Sequence, residues 1–237
     1  MSPTRFAGRC RLLRGLARNR VSLLPALKSA GLILRGGFHP EPGEPGLETV
    51  GTVLLVGNAG PAMWQAFASY IDGRPDPLNR WTRRVIEPIA ERLGARAVYP
   101  FGETLWPFQR WAQRAEGLHA SPLGLLIHPE FGLWHAYRAA LLVSERLQLP
   151  PRVIASHPCE ACPEKPCLSA CPVGAFSGVA FDVPACASHL AGASAVCIEA
   201  GCHSRDACPV GRSWRPEAEQ IGFHMAAFAG AVAPQAA

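Results

Sequence analysis

The sequence predicts an α/β body followed by a separate cysteine-bearing module. Two observations carry that prediction. Apolar β-rich runs alternate with helix-spaced runs over residues 25–150, and eight of the nine cysteines lie between Cys159 and Cys208. A length of 237 residues suits one large domain plus a small module. Hydrophobic residues make up 49% of the chain, enough for a sizeable core, while charged residues are sparse at 17%. With 23 Gly and 23 Pro, the composition is that of a compact, loop-rich protein rather than a disordered one.

The elements follow in order. Residues 21–37, containing "LKSAGLILRGG", read as a short helix and a glycine turn, and "HPEPGEPG" (39–46) as a loop. "TVLLVGN" (52–58) is an apolar β-rich run stopped by Asn-Ala-Gly, as in a buried strand. "PAMWQAFASYI" (61–71) opens with proline and has helical spacing. After a loop at 73–79, "RWTRRVIEPIAERLG" (80–94) reads as a second helix, bent or interrupted near Pro88 and ended by Gly94. "ARAVYPFG" (95–102) is a strand candidate and "WPFQRWAQRAEGL" (106–118) a helix. "LGLLIHPEFGLW" (123–134) reads as a strand, a turn and the start of another strand. In "HAYRAALLVSERL" (135–147), the length and the alanines favour a helix. The C-terminal "IGFHMAAFAGAVAPQAA" begins as a helix with apolar Ile221, Phe223, Met225 and Phe228; His224 there reads as a surface residue and the end as a frayed tail. The expected organisation is a basic extension (1–24), the α/β body (25–150), the cysteine module (151–215) and a C-terminal helix and tail (216–237).

The formal charge of +5 is unevenly spread. Residues 1–35 hold eight Arg or Lys and no acid, whereas the remainder carries 15 basic and 18 acidic residues and is net negative. A nucleic-acid footprint would cluster on a folded face with interleaved aromatics, so no nucleic-acid partner is expected. An Arg-rich, acid-free start can mimic an organellar transit segment, but a solvated basic extension is the simpler reading. No apolar run of 18 residues and no signal-peptide pattern is present, so a cytoplasmic protein without a transmembrane segment is expected. In a reducing compartment, nine cysteines point to metal rather than to disulfides.

The first cysteine group is Cys159-x2-Cys162-x4-Cys167-x3-Cys171-Pro172. The bacterial ferredoxin run is C-x2-C-x2-C-x3-C-P, in which the fourth cysteine ligates the other cluster. The second gap here is two residues longer, and the inserted "PEKP" suits a turn. The second group is Cys186, then Cys197-x4-Cys202-x5-Cys208-Pro209. Both groups end in Cys-Pro-Val-Gly, at 171–174 and 208–211, as two halves of one module would. Structural zinc favours paired C-x2-C knuckles, and only one such pair exists. Eight cysteines are the number that two four-iron cubanes need. The crossed pattern assigns Cys159, Cys162, Cys167 and Cys208 to one cluster, and Cys171, Cys186, Cys197 and Cys202 to the other. Cys10, far away in the basic extension, is expected to be a non-ligand thiol.

"LLIHPEFGLWHAYRAALL", then "CEACPEKPCLSACPVGAF", then "FDVPACASHL" resembles the order of elements in epoxyqueuosine reductase. That family has an "HPxFG-x-W" stretch, a ferredoxin-like run, an isolated cysteine in a "D-x-x-x-C" segment and a second group ending in Cys-Pro. In the family the isolated cysteine ligates the second cluster, which implicates Cys186. "IHPEFGLW" and the upstream "TVLLVGNAGPAMWQAF" also look like the cobalamin-processing CblC-type proteins. The resemblance covers residues 30–210 and is strongest over the cysteines. It implies a nitroreductase-like sheet-and-helix body, a ferredoxin-like module with two [4Fe-4S] clusters, and a possible cobalamin. His128, Pro129, Phe131, Gly132 and Trp134 are the residues it carries over as a corrin-facing wall. The plain alternative for His128 is a hydrogen-bonded histidine at a strand end, and for Phe131 and Trp134 a place in the core.

Departures from the family are specific. Its acidic proton donor sits in a "V-D-T" segment, where this chain has "FGETLWP" (101–107), with Gly102 near that position and Glu103 beside it. Glu103 is thus a candidate catalytic acid, with an exposed loop carboxylate as the default. The family's "G-W-x-G-K" is replaced by "GLHASPLG" (117–124), and helical repeats that grip tRNA are not expected in the few residues after Cys208. Those departures argue against tRNA reduction. The expected function is that of an iron–sulfur electron-transfer protein feeding a cobalamin or small-molecule redox site in the body. The alternatives are a ferredoxin-like carrier that docks a redox partner protein, a cobalamin-processing protein, or a chain whose metal only holds the fold.

Overall fold

The computed structural model describes residues 20–151, 156–192 and 196–233. Most of the basic extension, Cys10 and the last residues of the tail lie outside them. The chain divides into two compact units. The first comprises Met1–Asn58, Ala62–Gly117 and Ala136–Ile154; the second comprises Ala59–Pro61, Leu118–His135 and Ala155–Ala237.

The first unit is built on a four-stranded sheet with strand order β1-β2-β6-β3. β1 (Ile33–Phe38) pairs antiparallel with β2 (Thr52–Ala59), and β3 (Arg96–Val98) pairs antiparallel with β6 (His135–Val143). β2 is buried along its whole length, which explains its unbroken apolar run. Two expectations need correction here. Residues 33–38 form a strand, not a glycine turn, with an irregular register between Leu34 and Gly37 that absorbs the glycines. Residues 135–143 form a strand, not a helix. Its central place in the sheet buries Ala139–Val143 completely, so no alternation survives in the sequence, and ladder pairing overrides the helical preference of the alanines.

Helices cover this sheet. α1 (Arg20–Ser29) precedes β1. α2 (Ala62–Phe67) and α3 (Pro77–Leu93) bury Trp64, Phe67 and Trp81, with Phe67 edge-on to both tryptophans at 5.6 and 5.7 Å. α3 starts at Pro77, inside the stretch expected to be a loop, and is a single helix through Pro88, where a bend or interruption is expected; it ends on left-handed Gly94, as expected. α4 (Phe108–Glu116) packs Trp111 against Phe38 of β1. Its Glu116 pairs with Arg35 at 2.9 Å, and Tyr137 donates a short hydrogen bond to the same carboxylate. Arg35 is fully buried, so it does not share a solvated basic face with the residues before it. Removing one member of such a buried pair costs about 3–5 kcal/mol.

The second unit is rich in loops. β4 (His119–Ala120) and β5 (Leu126–Ile127) form a small hairpin, followed by a turn closed by paired backbone bonds between His128 and Gly132, each 2.9 Å. Four short helices follow: α5 (Pro166–Ser169), α6 (Val183–Leu190), α7 (Val196–Ala200) and α8 (His203–Asp206). The longer α9 (Ala218–Val232) packs on α6 and α7, as the apolar residues of the C-terminal segment suggest.

Candidate metal centre

The eight described cysteines all carry free thiols. Their positions come from short, local devices. α5 begins at Pro166 after left-handed Lys165, so the "PEKP" insertion turns the chain and presents Cys167 at the helix start. Asp182 caps α6 by accepting from the Ala185 N–H at 2.9 Å, which holds the helix bearing Cys186. The Asp182 N–H in turn donates to the Ala175 carbonyl at 2.8 Å, tying α6 to the residues after the first Cys-Pro-Val-Gly.

The thiols fall into two sets by their mutual influence. Burial pushes Cys159 up, and Cys208, Cys167 and Cys162 push it further. Burial raises Cys167 and Cys208 likewise; Cys208 and Cys162 act on Cys167, and Cys162 acts on Cys208. Burial also raises Cys186, with Cys202, Cys171 and Cys197 as its thiol neighbours. Cys197 and Cys202 are raised by burial and feel Cys171. Cys159, Cys167 and Cys208 share one apolar cluster, and Cys162 acts on all three; Cys171, Cys197 and Cys202 act on Cys186. Among the described residues, no three His, Cys, Asp or Glu side chains converge closely enough to hold a single metal ion.

Backbone donors face several of these sulfurs. The Ala175 N–H donates to Cys171 Sγ at 3.3 Å. The backbone of His203 hydrogen-bonds Cys197, that of Ser204 and Arg205 hydrogen-bonds Cys202, and that of Val210 hydrogen-bonds Cys208. Such donors favour the charged, thiolate form that metals require.

The "HPEFGLW" stretch belongs to this same unit. Leu123, Ile127 and Leu133 form one apolar cluster with Cys167 and Cys208, against which Cys159, Phe176 and Val210 pack. His128 is buried, its Nδ1 accepts from the N–H groups of Glu130 and Phe131 at 3.0 and 3.1 Å, and its ring stacks on Phe131 at 4.1 Å. Phe131 is fully buried and meets Trp214 edge-on at 4.7 Å; Trp134 is buried too, while Pro129 is exposed. Gly132 (φ +55°) and Gly211 (φ +72°) are pressed together: a Cβ on Gly132 would land on the Val210 carbonyl, and one on Gly211 on the Phe131 carbonyl group. Glu103 is exposed and lies in the first unit.

Sequence reasoning missed Arg205 and Trp214. Arg205 Nε and Nη2 donate to the Leu133 carbonyl at 3.2 and 2.5 Å, and its guanidinium lies 4.4 Å over the Trp134 ring. A single arginine between two cysteines gives no periodic signal. Its only hint is its place three residues after Cys202. A cleft of about 430 Å³ borders Cys159, His157, Ser121 and Lys165, and the His157 ring stacks on His119 at 4.7 Å.

A mixed helix-and-sheet protein with eight grouped thiols is the class that these features define. No protein-family model and no curated protein matches the chain. Among solved structures, a selenomethionine-labelled epoxyqueuosine reductase is similar with a TM-score of 0.53 and 13% identity, covering 85% of this chain and 67% of that one. Epoxyqueuosine reductase from Streptococcus thermophilus gives 0.53 and 14%, covering 84% and 67%. The B12-trafficking protein CblC of C. elegans aligns over 92% of this chain and 97% of its own at 14% identity, with a TM-score of 0.47. The likeness to the two reductase structures shows the fold: the expected α/β architecture is the one observed. No helix among the described residues is long and apolar enough to cross a membrane.

Proposed function

We propose that the chain is an iron–sulfur electron-transfer protein with two [4Fe-4S] clusters, feeding a cobalamin or small-molecule redox site. The observation that supports this reading is that Cys159, Cys167 and Cys208 share one apolar cluster on which Cys162 acts, while Cys171, Cys197 and Cys202 act on Cys186. Cys159, Cys162, Cys167 and Cys208 would hold one cluster, and Cys171, Cys186, Cys197 and Cys202 the other. A four-iron cluster takes each thiolate at a different iron, so thiols too widely spaced for one ion are no obstacle to it. When bound, such clusters supply one-electron transfer.

The chain's own residues do the rest. Leu123, Ile127 and Leu133 shield Cys167 and Cys208 from water, and the Ala175 N–H stabilises negative charge on Cys171 Sγ. An open surface cleft borders Cys159, one member of the first set. A corrin-facing role for His128, Pro129, Phe131, Gly132 and Trp134 and an acid role for Glu103 belong to the same proposal, as does the division into body (25–150) and cysteine module (151–215). The neighbours' names, a reductase and a B12-trafficking protein, accord with a redox role that involves cobalamin. Eight unpaired thiols suit a reducing, cytoplasmic setting.

Anaerobic purification with iron and sulfide counts, EPR after reduction, and a hydroxocobalamin-binding spectrum on one sample test the proposal. About eight iron and eight sulfide with a spectral shift of the corrin are expected. Eight iron without corrin binding would leave a carrier for a partner protein. Stoichiometric zinc, or no reducible signal, would overturn the electron-transfer reading.

A further inference from the structure

Buried polar atoms without partners gather on helices that carry or adjoin three of the cysteines. Among the described residues, the buried side-chain atoms with no hydrogen-bond partner are Asn58 Oδ1, Trp111 Nε1, His189 Nε2, Ser204 Oγ and Gln220 Oε1. The first two belong to the first unit. The other three lie on α6, α8 and α9. α6 carries Cys186, α8 starts directly after Cys202, and α9 packs on α6 and on α7, the helix of Cys197. Folded proteins rarely leave a buried polar atom unpaired, so each of these calls for a partner.

His189 is the one whose place in its helix leads to a thiol. It follows Cys186 by three residues within α6. Side chains three residues apart share one face of a helix and lean towards its N-terminus, so a ring at position 189 lies over the turn that bears Cys186. Asp182 fixes that turn: its carboxylate accepts from the Ala185 N–H at 2.9 Å, and its carbonyl accepts from the Cys186 N–H at 3.2 Å. Ala187 and Leu190 of the same helix are buried, which prevents α6 from rotating to carry the ring into water. Gln220 Oε1, on the neighbouring α9, is an acceptor that equally lacks a donor, and it is not bonded to His189.

We propose that His189 is a positioning residue whose Nε2–H donates to a sulfur of the cluster held by Cys171, Cys186, Cys197 and Cys202, and thereby raises that cluster's reduction potential. The inference rests on the two-cluster reading above and adds a side-chain donor to the backbone donor that Cys171 Sγ receives from Ala175. Sulfur accepts such a bond, and the bond draws negative charge away from the iron. Reduction adds one negative charge to a cluster, so the donor favours the reduced state.

The experiment uses the full-length holoprotein, grown with histidine isotopically labelled only at the ring nitrogens and reduced with dithionite. Pulsed EPR then reads the coupling of a ring nitrogen to the cluster spin. Wild type should show a weak ring-nitrogen coupling that is lost in His189→Gln and His189→Leu at full iron content. A redox titration of the same samples gives the second readout: one midpoint potential falls in His189→Leu, whereas His189→Gln, which keeps an N–H donor, stays close to wild type. No ring coupling in wild type, or unmoved midpoints in His189→Leu, would overturn the proposal. The absence of coupling is the result expected if a buried water joins His189 to Gln220 instead. If both variants lose iron, wild type still decides: the coupling must survive His157→Gln and His203→Gln, the histidines nearest in sequence to Cys159 and Cys202, and its loss in either would refute the assignment. Failure of the underlying reading looks different, because wild type would then hold no reducible cluster and give no signal on which a coupling could be read.

Discussion

Two Cys-Pro-Val-Gly segments occur in this chain, with the same four residues in very different surroundings. At 208–211 the cysteine is buried, and the glycine lies against the Phe131–Gly132 backbone so closely that no side chain fits on either glycine. At 171–174 the cysteine is half-buried, and Gly174, also left-handed, has nothing within 4 Å of where a Cβ would be. The first glycine is needed only for its backbone angle; the second is needed for its angle and for its missing side chain. A repeated motif can thus keep one local conformation while its tertiary duty differs between copies. The second copy clamps the "HPEFG" turn onto the Cys167 and Cys208 core, whereas the first is steadied by the Ala175–Asp182 backbone bond.

The sharpest way to break that asymmetry is substitution of the glycines. Gly211→Ala combines left-handed strain with a backbone collision and should cost about 3 kcal/mol or more, read as a large fall in the anaerobic denaturation midpoint. Gly132→Ala should act similarly from the opposite side of the contact. Next comes the metal: Cys208→Ser and Cys171→Ser should each lose about four iron, but from different EPR signals. Loss of the same signal in both variants would show that the two sets are not separate. Gly174→Ala should cost only about 1–2 kcal/mol, the left-handed penalty alone. A cost equal to that of Gly211→Ala would erase the distinction between the copies. The smallest effect is that of Asp182→Ala, about 1 kcal/mol from the lost cap, with looser iron binding on the Cys186 side as the readout.

Much of this was legible in the sequence, for physical reasons. β2 announces itself because both its faces are covered, and α3 because Gly94 stops it. The doubled Cys-Pro-Val-Gly marks the module without any structure. β1, an edge strand, hides behind Gly36 and Gly37; β6 hides behind its alanines, because a central strand owes its state to neighbours distant in sequence. Within the site, the cysteines were readable and their supports were not. Gly132 and Gly211 are far apart in the chain, so their fit is a tertiary fact. Arg205 looked like any surface charge because nothing local reveals that Leu133 and Trp134 receive it.

The crossed grouping proposed for the thiols would also have a consequence for the order of synthesis. A chain emerging from its N terminus displays Cys159, Cys162 and Cys167 first, yet their fourth partner, Cys208, is the last cysteine of all. The other set is complete once Cys202 has appeared. The group begun first is therefore finished last, and three thiols wait exposed through the making of some forty residues. Until Cys202 appears both sets are incomplete, and a ribosome stalled between residues 202 and 208 would carry one complete group and one that lacks a corner.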